Sequence, residues 1–239
     1  VGIVIETELW FNLIHQFARR SIPFIIVNAR LSARSATRYG WFKEPLKPLL
    51  NNITLIAPQD DVSGQRYAQL GIAPERLVVT GNIKYDLNVS DELFHQITTL
   101  KAQWNTQRPI WIAASTHEGE DEIILKSHRT LLQQYPDLLL ILVPRHPERF
   151  NSVAQLIEQE DFGFMRRSSH EIPTEETQVL LGDTMGELML LYGMAKVALV
   201  GGSLVAHGGH NPLEPLVFKL PVISGKHTFN FPEIFTKLS

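Results

Sequence analysis

Short apolar runs recur along this chain, and each leads directly into a polar cap and then a helical segment. Pro109-Ile110-Trp111-Ile112-Ala113-Ala114 precedes Ser115-Thr116-His117-Glu118-Gly119-Glu120, and Leu138-Leu139-Leu140-Ile141-Leu142 precedes Val143-Pro144-Arg145-His146-Pro147-Glu148-Arg149. Val179-Leu180-Leu181 precedes Asp183-Thr184-Met185-Gly186-Glu187. Val197-Ala198-Leu199-Val200 precedes Gly201-Gly202-Ser203-Leu204 and then Gly208-Gly209-His210-Asn211-Pro212-Leu213-Glu214. Apolar runs without polar alternation are strands buried on both faces. Regular alternation of such strands with helices requires parallel sheets covered by helices. In those sheets the loops at the carboxyl ends of the strands line the ligand crevice, so the junctions that fix the fold are also its candidate site.

The glycine-rich junction is the most specific of them. Asn211 is expected as an N-cap, Pro212 as the first helical residue and Glu214 as the third. The double glycines remove side chains where a ligand would lie against the backbone. A helix N-terminus offers free N–H groups and positive potential to an anion, worth about 0.3–1 kcal/mol, and a charge-assisted hydrogen bond about 1.5–3. Several donors must therefore converge to hold a phosphate. Ordinary capping explains the same residues, and the roles are compatible because a cap uses only one carboxylate oxygen.

The chain of 239 residues, 44% of them hydrophobic, is long enough for two modest cores. Strands are expected over 1–5, 23–27, 53–57 and 76–80, with helices over 8–20, 32–50 and 60–70. A second α/β series starts at residue 108. The expected organisation is a first domain over 1–80, an interdomain segment over 81–107 and a second domain over 108–239. Both would be Rossmann-like, doubly wound and parallel, facing a cleft. The chain begins inside a strand without an initiator Met and breaks off inside a helix near 232–239, so it reads as the middle of a longer protein with an incomplete first domain.

A net charge of only −3 argues against a general nucleic-acid binder. Residues 1–50, however, carry seven basic and three acidic side chains, a net of +4 suited to an anionic acceptor or a membrane surface, or simply to solvated helix faces. There is no cysteine, no His-Glu-x-x-His helix and no tight carboxylate cluster, so no metal site is expected despite His207, His210 and His227. No apolar run reaches 18 residues.

With these residues in view, the chain closely resembles the 3-deoxy-D-manno-octulosonic acid (Kdo) transferases of Gram-negative bacteria. The matching segments are Glu6-Thr7-Glu8-Leu9-Trp10, Asn28-Ala29-Arg30-Leu31-Ser32, Gly81-Asn82-Ile83-Lys84-Tyr85-Asp86 and His227-Thr228-Phe229-Asn230-Phe231, together with the junctions quoted above. Phe11 stands where the family usually has proline, and Ala206-His207 replaces a more charged pair.

The resemblance implies a GT-B glycosyltransferase that takes Kdo from CMP-Kdo and attaches it to the lipid A precursor at the cytoplasmic face of the inner membrane, peripherally or through an N-terminal anchor. It implies an inverting displacement with no metal and no cofactor beyond the donor. Its general base, a glutamate, would lie upstream of residue 1. By resemblance, Pro144, Arg145, Met185, Gly186, Glu187, Asn211, Pro212, Leu213 and Glu214 bind the CMP moiety. Glu6 and Lys84 resemble transition-state stabilisers, and Thr116, His117 and Ser203 are secondary contacts. The chemistry agrees for Arg145, a permanent fork-shaped cation suited to phosphate unless it is spent on an ion pair with Glu148 or Glu118. Two other readings stay open: a GT-B enzyme for a UDP-sugar, transferase or epimerase, and an inactive nucleotide-binding fragment.

Overall fold

The computed structural model describes residues 1–6, 9–104 and 107–238. It falls into two compact units, 1–86 and 87–239, each built on a parallel sheet.

In the first unit the order is β1 (Gly2–Ile5), α1 (Phe11–Arg19), β2 (Phe24–Ala29), α2 (Ala33–Gly40), α3 (Lys43–Leu50), β3 (Leu55–Pro58) and α4 (Asp61–Gln69). The sheet runs β1-β2-β3, all parallel. Its core gathers Ile14, Phe24, Ile26, Leu50, Ile56 and Tyr67 from sheet and helices. Two expectations are corrected here. The helix expected over 32–50 is two helices with a break at Trp41 and Phe42, and Pro45 falls in the first turn of α3, where a missing N–H costs nothing. The strand expected over 76–80 is a 3-10 turn at Pro74–Arg76 followed by an extended segment. Val78 and Thr80 donate to the carbonyls of Ile56 and Pro58, but the full ladder does not form and both valines stay about half exposed.

In the second unit the order is α5 (Asp91–Trp104), β4 (Ile110–Thr116), α6 (Asp121–Leu132), β5 (Leu139–Pro144), α7 (Phe150–Gln159), β6 (Phe164–Arg166), β7 (Val179–Leu181), α8 (Leu188–Met194), β8 (Val197–Val200), α9 (Leu213–Val217), β9 (Val222–Ile223) and α10 (Pro232–Leu238). The segment read as a connector thus divides. Residues 81–86 belong with the first unit, whereas Ile97, Leu100 and Trp104 of α5 lie in the core of the second.

The second sheet runs β6-β7-β5-β4-β8-β9, parallel throughout. Every residue of β4 and β5 is buried, as continuous apolar strands require. Period-two geometry splits their side chains between two cores. Ile110, Ile112, Leu139 and Ile141 face α5 and α8, while Trp111, Ala113, Leu140 and Leu142 face α6 and α7. The chain lays β5, β6 and β7 to one side of β4, then returns to set β8 and β9 on the other. The winding therefore reverses between β4 and β8, and their carboxyl ends form the crevice where such sheets take ligands.

His128 of α6 is fully buried under this sheet. The Trp111 indole can only donate, so its Nε1–H bond to Nδ1 (3.2 Å) leaves the ring proton on Nε2, facing the Gln178 carbonyl at 2.9 Å. Burial, together with Arg108 and Arg129, lowers the His128 pKa from 6.5 to about 4 despite that carbonyl. A depressed histidine contributes stability that is fully present above its unfolded pKa and is lost as pH falls through the folded value. Unfolding free energy is expected to drop by roughly 3 kcal/mol between pH 6.5 and 4 from this group alone. Urea unfolding across that window checks it, and a His128→Gln variant should show a flatter profile.

Candidate functional site

The carboxyl end of β4 and the glycine loop after β8 meet at Glu120. This fully buried carboxylate accepts backbone N–H bonds from His117 (2.9 Å), Gly202 (2.7 Å), Ser203 (3.1 Å) and Leu204 (2.9 Å). The bond to His117 is the one a capping box would make, three residues back; the other three reach across to the neighbouring strand's loop. A buried anion is costly alone, and these donors offset that cost. The loop fits only because Gly201 has no side chain: a Cβ there would lie 2.3 Å from the Ser115 carbonyl oxygen.

A second clamp fixes the loop after β5. Thr116 donates its hydroxyl to Asp121 at 2.6 Å, while Arg149 donates to the Thr116 carbonyl at 2.8 Å and pairs with the Asp121 carboxylate. Burial pushes the Asp121 carboxyl up, against the pull of Thr116 and Arg149. The ion pair weighed for Arg145, with Glu148 or Glu118, does not form among the described residues; it is Arg149 that pairs, with Asp121. Arg145 itself is exposed, and its guanidinium has no hydrogen-bond or ion-pair partner among the described residues. It acts electrostatically on Glu214 and on His210.

The other expected positions line the same carboxyl edge, on the adjacent strands β7, β5, β4 and β8. Pro144 ends β5 and is buried. Met185 is largely exposed, and Gly186, at φ +80°, has open space where a Cβ would stand. Glu187 gives one oxygen to Arg167 (2.8 Å) and the other to Thr184. Asp183 is not the cap of α8; its carboxylate holds Ser168 and Arg166 beside β6.

The expected α9 start is also corrected. The helix begins at Leu213, one residue late, and Asn211 Oδ1 accepts from the Leu213 N–H at 3.1 Å, making Glu214 the second helical residue. Pro212 lies between Asn211 and Leu213 with helical dihedrals, where its missing N–H costs the cap nothing. Pro212 and Leu213 are buried, whereas Asn211 and Glu214 are partly open. Burial raises the Glu214 pKa, opposed by Arg145 and Asn211. Thr116 and Ser203, taken as secondary contacts, are fully buried, and Ser203 spends its hydroxyl on Val200 and Gly225.

His210 and His207, weighed in the sequence only as metal ligands, gather with His146 around His117, a grouping that sequence reasoning missed. Among the described residues no group of three or more His, Asp or Glu has the geometry to hold a metal ion.

In the first unit Glu6 stands at the end of β1 with φ +70°, its exposed side chain beyond the sheet's carboxyl edge. Lys84 lies on the 3-10 turn Ile83–Tyr85, and its side chain lies outside the described residues. Asn28, at φ +50° and buried, is the missed residue here: its Oδ1 accepts from the Ile83 N–H at 3.2 Å and so ties the Lys84-bearing turn to β2.

Comparison with known proteins places this architecture. Residues 107–239 match the family model of glycosyl transferases group 1, so the chain belongs to that class of enzymes. Residues 1–87 match the model described as 3-deoxy-D-manno-octulosonic-acid transferase (kdotransferase), and it is to this transferase family that the whole chain belongs. It is 67% identical over 236 residues to the 3-deoxy-D-manno-octulosonic acid transferase of Haemophilus influenzae, covering 99% of this chain and 55% of that protein. With the Bordetella pertussis transferase it shares 36% over 241 residues, 97% of this chain and 54% of the other. The chain thus spans about half the length of these curated relatives. The crystal structure of the C-terminal CMP-Kdo binding domain of WaaA from Acinetobacter baumannii matches at TM-score 0.60 and 39% identity, over 62% of this chain and 78% of that one. UDP-GlcNAc 2-epimerase from Neisseria meningitidis matches at TM-score 0.53 and 19% identity, over 99% and 66%, a likeness of fold alone.

Replacing Glu120 by Gln keeps the shape but removes one acceptor oxygen, leaving two of the four N–H groups facing an amide NH2 whichever way it turns. Glu120→Gln is expected to destabilise the second unit by about 2–4 kcal/mol. A lower urea midpoint at unchanged slope checks this.

Proposed function

We propose that this chain supplies the donor site and part of the acceptor side of an enzyme that transfers Kdo from CMP-Kdo to the lipid A precursor in lipopolysaccharide synthesis. One observation carries the reading. Arg145, whose guanidinium has no hydrogen-bond or ion-pair partner among the described residues, follows β5 on the carboxyl edge of the second sheet, the edge that also carries Met185 to Glu187 and Asn211 to Glu214. Its fork meets the donor phosphate and, as the bond to the sugar breaks, the charge gathering on departing CMP. Open space at Gly186 lets ribose or base approach the backbone, and the free lone pairs of Glu187 and Glu214 accept from ribose hydroxyls.

The displacement is inverting and needs no metal, because Arg145 meets the phosphate charge; for Lys84 the family resemblance implies a transition-state role. Glu6 supports the cationic sugar, and the acceptor hydroxyl gives its proton to a glutamate that the family resemblance puts ahead of residue 1. The basic first segment faces a phosphorylated glycolipid at the cytoplasmic face of the inner membrane. No helix among the described residues is long and apolar enough to cross a membrane.

A UDP-sugar is the competing donor, favoured by the epimerase-like fold. Thermal stabilisation by CMP, with UMP and AMP as controls, separates the two. CMP alone is expected to raise Tm, and Arg145→Ala to weaken its binding roughly 10- to 100-fold, the loss of one charge-assisted contact of about 1.5–3 kcal/mol. A response to UMP in place of CMP selects the UDP-sugar reading; no response to any nucleotide removes the donor-site reading for this chain.

A further inference from the structure

Four histidines from three loops gather at the crevice: His117 after β4, His146 after β5, and His207 and His210 after β8. Two of them are joined. The His117 and His210 rings lie within 8° of one plane with centroids 5.0 Å apart and Nε2 atoms 2.7 Å apart. Rings so placed meet edge to edge, as an N–H···N hydrogen bond, and not face to face. His207 stacks on His117 at 4.1 Å, and His146 meets it edge to face at 5.5 Å.

This geometry limits the proton count. One ring must carry a hydrogen on Nε2 and the other must present a bare nitrogen. Two imidazolium rings would point two N–H groups at each other, so the pair accepts one further proton and not two. That proton would enter at a Nδ1 and turn the shared bond into a charge-assisted one.

The charged groups facing the pair decide whether the proton is there. Arg149, Glu120, His207 and His146 act on His117; Arg145, Glu120 and His146 act on His210. Burial, then Arg145 and His117, hold His210 at about 4, and burial and His207 lower His117 as well. Both rings are therefore neutral at pH 7. An anion at Arg145 would offset the cation that most opposes protonation of His210 and add a negative charge to the site.

We propose that the His117–His210 pair is a one-proton store that makes this site's affinity for phosphate esters proton-linked: the anion binds at Arg145, and the pair takes up a proton with it. This rests on the nucleotide reading of the site. The linkage has a definite sign. Because the ligand raises the pair's pKa, affinity rises as pH falls below the ligand-bound value and levels off once pH falls below the pair's value in the free protein. One linked proton changes Kd by at most tenfold per pH unit. CMP, whose terminal phosphate can carry a second negative charge, should draw the proton more strongly than a phosphodiester.

The test uses the whole chain and cytidine 5′-methyl phosphate, a phosphodiester whose charge does not titrate over the range. Calorimetric Kd values from pH 7.5 to 5 are expected to tighten with a slope approaching one decade per unit. Titrations in buffers of different ionisation enthalpy should report uptake of up to one proton. The slope should vanish in His210→Asn and persist in Glu214→Gln, the carboxyl that also faces Arg145. Should His210→Asn fold poorly, the 15N signals of the wild-type rings give the same answer, with Nδ1 of the pair gaining a proton on ligand addition. Binding without pH dependence overturns the proposal while leaving the nucleotide site intact. A slope that survives in His210→Asn but is lost in Glu214→Gln overturns it in favour of the carboxyl. No binding at any pH overturns both the proposal and the nucleotide reading beneath it.

Discussion

Four backbone N–H groups converge on the buried carboxylate of Glu120, and they come from two loops that belong to different strands. A parallel sheet aligns its strands by ladder bonds, but the ladder stops where the loops begin. Beyond the ends of β4 and β8 something else must hold the backbone, and here it is an anion surrounded by donors. The arrangement spends N–H groups of the glycine loop on the protein itself, so the loop is a fixed wall of the crevice. The groups left to meet a ligand are the ones around it: Arg145, Gly186, Asn211, Glu214 and the imidazoles.

The same logic separates the two arginines after β5. Arg149 is turned inward, bonded to the Thr116 carbonyl and to Asp121, and fixes the distance between the two central loops. Arg145, four residues earlier, forms no ion pair among the described residues, and the field of Glu214 reaches it. A cation held on rigid backbone and not neutralised by its own protein is a cation available to something else. Glu120 and Asp121 are thus buried and saturated, whereas Arg145, Met185, Asn211 and Glu214 are open or partly open.

Much of the fold was legible because parallel strands buried on both faces write themselves as unbroken apolar runs. Both strands of the central pair, β4 and β5, are of this kind, and so is β8. The segment 76–80 carries the same β-branched signal, yet it stays an incomplete edge because only one side of it finds partners. The break between α2 and α3 falls at Trp41 and Phe42, just ahead of Pro45, and periodicity alone smoothed it over. At the site, residue types were readable but partnerships were not. Glu120 has the local spacing of a capping-box acid on His117, and its three other donors lie 82 to 84 residues away. His117 and His210 are 93 residues apart, so no window on the sequence could pair them. Asn28 stood in a quoted motif, but its hold on Ile83 spans 55 residues.

His128 has a consequence outside stability. Both of its ring nitrogens are engaged, one as acceptor and one as donor, and the tautomer is locked by the indole that faces it. Between pH 7.5 and 5, above its own value of about 4, it is therefore one of the nine histidines whose spectrum should stay constant while a ligand draws a proton to the crevice rings. The second unit carries an internal reference signal for its own folded state. Any change seen at His117 or His210 with His128 unmoved is chemistry at the crevice, and a change in all three is the core coming apart.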